Sequence, residues 1–132
     1  MGLKKKGGRA KRGRVPARSH GPARCDLVLR IAASDATFAA SGDGGWLGRC
    51  LHCGSRLRVG PTGQTLATVE HIVPVSAGGS NVDLLNVALA CVGCNNEKGV
   101  RHDPNYPRDP RAVEVIAALL RRRASQWRDP GC

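Results

Sequence analysis

The chain has 132 residues, 41% hydrophobic but only 3% aromatic, which suits one small domain with a modest apolar core. Its formal net charge is +11, from 21 Lys and Arg against 10 Asp and Glu, so a polyanion, above all nucleic acid, is the natural partner. No stretch is long and apolar enough to span a membrane, and no secretory-type apolar segment follows the basic start; the expectation is a cytoplasmic protein with no membrane partner.

Residues 1–24 (MGLKKKGGRAKRGRVPARSHGPAR) hold nine basic side chains and no acidic one, which leaves only +2 for the rest of the chain. This Gly- and Pro-rich segment lacks apolar periodicity and reads as a disordered basic arm. Lys4, Lys5, Lys6, Arg9, Lys11, Arg12 and Arg14 are its candidate nucleic-acid contacts; the competing reading is a solvated tail that aids solubility. Residues 25–40 have apolar side chains at 27, 28, 31 and 38 and predict a helix, interrupted near Ser34 and Asp35. The run SGDGG at 41–45 is a loop, and the segment 25–45 leads into the core.

From Trp46 the pattern changes to short pieces punctuated by Gly and Pro. Arg56–Val59 and Thr65–Val69 read as strands joined by a turn at 61–63, with Glu70 and His71 at the end of the second. Residues 83–91 predict another strand, and 92–99 a helix that stops near Gly99. A proline-rich connector follows, then a helix with Asp109 as N-cap, Pro110 at its first position and apolar residues at 113, 116, 117 and 120. Its terminal arginines, Arg121, Arg122, Arg123 and Arg128, either complement the helix dipole or touch phosphate. The resulting division is 1–24 arm, 25–45 lead-in, 46–104 core domain and 105–132 connector and helix.

Two C-x2-C pairs, Cys50/Cys53 and Cys91/Cys94, are separated by 37 residues. In a reducing compartment such pairs hold a tetrahedral Zn2+ through four thiolates rather than forming disulfides. A plain zinc ribbon places only ~15 to 20 residues between its pairs, so the interval here carries something more. His52, inside the first pair, is read as a bystander, and Cys25 and Cys132 as free thiols.

What lies in the interval is VEHIVPVSAGGSNVDLLNVALACVGCNNEKG, residues 69–99. An acid and a His, a Pro, a Gly-Gly loop, an Asn, Cys-x2-Cys-Asn and Lys-Gly follow one another in the order of the HNH endonuclease motif, which this string resembles. The resemblance implies an α+β fold, a small zinc-stabilised ββα-metal unit, here with flanking helices. It implies His71 as general base, Asn86 as the residue bracing the loop that orients it, and Glu70 and Asn95 as oxygen ligands of a catalytic Mg2+ or Mn2+. Glu70 departs from the commoner Asp by one methylene. Lys98 would contact phosphate or be solvated, with Gly99 as C-cap.

The implied activity is metal-dependent hydrolysis of phosphodiester bonds in double-stranded DNA, leaving 3′-hydroxyl and 5′-phosphate ends. The alternative is a non-catalytic zinc-dependent DNA-binding module. Monomer and homodimer both remain open at this level, as do sequence preference and the choice between nicking and double-strand cleavage.

Overall fold

A computed structural model describes residues 22–131. The basic side chains from Lys4 to Arg14 lie outside that range. In chain order the elements are α1 (Pro22–Ala33), β1 (Ala39–Ala40), β2 (Trp46–Arg49), β3 (Arg56–Val59), β4 (Thr68–His71), β5 (Val87–Ala90), α2 (Val92–Arg101) and α3 (Pro110–Ser125). The strands form two antiparallel sheets, one in the order β1-β2-β3 and the other the β4–β5 hairpin. Among the described residues no helix is long and apolar enough to cross a membrane.

Helix α1 begins earlier and ends sooner than its apolar pattern suggests. Its start at Pro22 takes in the end of the segment expected to be a disordered arm. Its end has a local cause: the Asp35 carboxylate accepts from both the backbone N–H and the hydroxyl of Thr37, at 2.8 Å each, which turns the chain out of the helix. Phe38 then folds back into the core, and Ala39–Ala40 become an edge strand instead of helix.

A similar competition moves β4 along the chain. The Thr65 hydroxyl donates to the Arg58 carbonyl at 2.6 Å and accepts from the Ala67 N–H at 3.1 Å, so residues 65–67 stay a loop. The strand starts at Thr68 and pairs Glu70 with Ala88 and His71 with Val87. Gly79, in the loop leaving β4, presses on the Val73 carbonyl so closely that a Cβ there would lie 1.9 Å from its oxygen, a contact only glycine avoids.

The hairpin is covered on both faces, which is why β5 is an unbroken apolar run and not an alternating one. One cluster joins Val28, Ile31, Phe38, Leu57 and Val59 to Val87 and Leu89. The other joins Ala88 and Ile72 to Leu51 and to Ile116 and Leu119 of α3. Helix α3 therefore buries Ala112, Ile116, Leu119 and Arg123, while Val113, expected on the apolar face, is 40% exposed.

The C-terminal arginines are structural to an extent their positions in the sequence do not reveal. Arg123 is fully buried and donates to the carbonyls of Leu84, Val87 and Ser34 and to the Ser34 hydroxyl. Arg128 donates to Ala32, Ala33 and Phe38 carbonyls and lies over the Trp46 ring. Both thus satisfy carbonyls at the C-terminal end of α1, so the dipole they complement is mainly that of a different helix. Burial pushes the Arg123 pKa down from its usual value, opposed by the nearby Asp35 carboxylate. Replacing Arg123 by Met removes all four of these hydrogen bonds, leaving the Ser34 carbonyl only the Arg128 N–H at 2.9 Å, and should cost about 3–5 kcal/mol in urea unfolding of the zinc-loaded protein. A loss below about 1 kcal/mol would show that solvent can take over those carbonyls.

Candidate active site and metal centre

The two cysteine pairs converge because each sits where a strand ends. Cys50 follows β2, and Cys91 separates β5 from α2. Their four sulfurs all lie within 4.8 Å of one another, and Cys53 and Cys91 Sγ are 4.0 Å apart, near the ~3.8 Å edge of a ZnS4 tetrahedron. Backbone N–H groups of His52 and Cys91 point at Cys50 Sγ, at 3.4 and 3.3 Å, and Cys94 N–H points at Cys91 Sγ at 3.5 Å. Cys91 is also the N-cap of α2.

The protein alone does not ionise all four thiols. Hydrogen bonds from Ser55 hold the Cys53 thiol down to about 6, whereas burial pushes Cys50 and, with the neighbouring thiols, Cys94 upward. A divalent cation at the centre resolves that conflict, so the donor set fits a structural zinc.

The hairpin carries the second group of residues. Asn86, 8% exposed, directs both ends of its amide into the loop after β4: Oδ1 accepts from Val73 N–H at 2.9 Å, and Nδ2 donates to the carbonyls of Val73 at 3.1 Å and Ser80 at 2.8 Å. His71 sits one step before that loop, half-buried. Its pKa is lowered, first by burial and then by the charge of Lys98, against the raising effect of Glu70 and Asp103. Its ring has no hydrogen-bond partner among the described residues. Asn95, on the first turn of α2, likewise has no partner for its side-chain amide among the described residues, its backbone N–H returning to Cys91 O at 3.1 Å.

Glu70 and Lys98 depart most from expectation. Neighbouring residues in a strand face opposite ways, so Glu70 points away from His71 and is fully buried. One carboxylate oxygen is bonded to the His52 imidazole. The other has no hydrogen bond and faces the Lys98 ammonium at 3.5 Å. Lys98, expected at phosphate or in solvent, is 2% exposed; it donates to the His71 carbonyl at 3.1 Å and to Asp103 at 2.7 Å. Helix α2 runs on past Gly99 to Arg101 with His102 as its cap, so Gly99 is not the C-cap.

His52 stays outside the four-cysteine cluster, a bystander to the metal as expected. What its spacing did not signal is that the knuckle aims it at Glu70, while Arg122 fixes the knuckle through the Leu51 and His52 carbonyls at 2.8 and 3.0 Å. Asp103 gave no motif signal either; only its position one turn beyond Lys98 hinted at the pairing.

An antiparallel hairpin, a helix leaving it through a cysteine knuckle, a second knuckle packed beside it and a His at the strand end define a zinc-anchored ββα unit. Residues 50–101 match the HNH endonuclease family model, and the two knuckles and the hairpin all fall within the match. No curated protein and no solved structure matches the chain.

Proposed function

We propose that the protein is an HNH endonuclease that hydrolyses phosphodiester bonds in DNA, with His71 as the general base. The observation that carries this reading is the state of His71: a ring with no hydrogen-bond partner among the described residues, biased toward its neutral form by burial and by Lys98. Pure DNA binding needs no such group. Asn86 supports it by fixing the loop from Val73 to Ser80, and Lys98 by holding the His71 carbonyl.

In this reading the neutral imidazole takes one proton from water as the oxygen attacks phosphorus. The P–O3′ bond breaks, and the departing 3′-oxygen gains its proton from solvent. The oxygen donors this reading assigns to a hard cation are Asn95, whose amide has no partner among the described residues, and Glu70, whose one carboxylate oxygen without a hydrogen bond faces the Lys98 ammonium, which a cation there would have to displace. Mg2+ or Mn2+ held by them would stabilise the charge that grows on the phosphate.

Supercoiled plasmid tests the proposal directly. Wild type with Mg2+ or Mn2+ should nick it, a chelator that spares the zinc should stop nicking, and His71→Ala should slow it by about 10²- to 10⁴-fold. Equal nicking by the variant, or none by wild type with any divalent ion, would leave the binding module as the answer, and a gel shift would then register it.

A further inference from the structure

Three cavities have volumes of about 290, 450 and 270 Å³. The first two share Thr37 and Arg49, and the second and third share His52 and Cys53, so they are neighbours that make up a groove lined in turn by the β2–β3 hairpin, the first cysteine knuckle with Arg122, and Lys98 and His102.

The charge along this groove is lopsided. Arg49 and Arg56 stand directly opposite each other in the β2–β3 register, and both side chains are exposed. Like charges in that arrangement oppose pairing of the strands. Neither has an acidic partner among the described residues, nor does Arg122; Arg49 spends one donor on the Gly54 carbonyl and Arg122 one on the knuckle. By contrast Arg58, on the same strand, is neutralised by Asp43. Glu97 is the acidic side chain bordering the groove, and it pairs with Arg101 at 3.5 Å.

We infer that this groove takes a phosphodiester backbone, with Arg49 and Arg56 gripping successive phosphates through their guanidinium forks. Planar forks with free donors bind phosphate oxygens bidentately, and phosphate turns the repulsion between the two arginines into a shared anchor. The third cavity is bordered by Lys98, whose ammonium holds the His71 carbonyl, which ties this surface to the hairpin that carries the proposed base. The inference rests on the nucleic-acid reading above and adds the surface that would hold the strand.

The test measures binding of a 20-base-pair duplex at several salt concentrations, in a His71→Ala background so that nothing is cut. Arg49→Gln with Arg56→Gln should lower the slope of log K against log salt by about 1.8, the contribution of two phosphates, with zinc content and melting unchanged. Arg108→Gln with Arg111→Gln removes the same charge at the opposite end of α3 and should leave the slope alone. An unaltered slope in the first pair, or equal drops in both, overturns the groove. Binding without nicking by the His71-intact protein would overturn the nuclease reading and spare the groove; absence of binding overturns both.

Discussion

Stripping the metal from the four cysteines should unfold the domain. The apolar core offers little to resist this: five of its buried residues are alanines, its one fully buried aromatic among the described residues is Phe38, and it is split into two clusters. The zinc centre joins what those clusters do not. It ties the start of α2 to the knuckle after β2, and that knuckle bonds to β5 through Leu51 N–H and the Leu89 carbonyl at 3.2 Å. Zinc binding contributes ~10 kcal/mol or more in small domains of this type, as much as the whole net stability of a typical domain. A strong chelator should therefore abolish the cooperative thermal transition and the helical circular dichroism, and Zn2+ should restore both. Cys50→Ser should behave as the chelated protein does. A transition that persists unchanged after verified metal loss would mean that the apolar clusters suffice.

The parts of this architecture legible in the sequence were those set by local rules. Cysteine spacing located the centre; Asp109 and Pro110 located the start of α3, where the Asp109 carboxylate accepts from Arg111 N–H at 2.9 Å. The strand Arg56–Val59 followed from its pattern and flanking turns. What escaped was decided by contacts distant in the chain. Nothing around Arg123 signals that it closes the end of a helix 89 residues earlier at Ser34. The face of α3 that is buried is chosen by where that arginine must reach, so Val113 is left outside and Leu119 taken in. The site divides the same way: Asn86 and its loop were visible as a motif, whereas the enclosure of Glu70 depended on a histidine 18 residues away and a lysine on the next helix.

That enclosure leads to the second large effect. Lys98 is the cation facing a fully buried carboxylate, and removing one member of such a pair leaves the other desolvated and uncompensated. Lys98→Met should cost about 3–5 kcal/mol in urea unfolding of the zinc-loaded protein, more than the exposed Arg101 could, since Arg101 pairs with Glu97 in solvent. Glu70→Gln in the same chain should return part of that loss, because the amide needs no counter-charge, and the cycle of single and double variants would then show a coupling of about 1–3 kcal/mol. The His52 imidazole on the other carboxylate oxygen makes the compensation by Lys98 incomplete, which sets the cost toward the lower end of the range. A Lys98→Met protein within about 1 kcal/mol of wild type would mean that His52 alone suffices to hold Glu70. Lys98 also anchors the His71 carbonyl, so Lys98→Met should lower plasmid nicking even at temperatures where the variant is fully folded, whereas Arg108→Gln should not. Separating the two readouts distinguishes a lysine that only stabilises the hairpin from one that also positions the base.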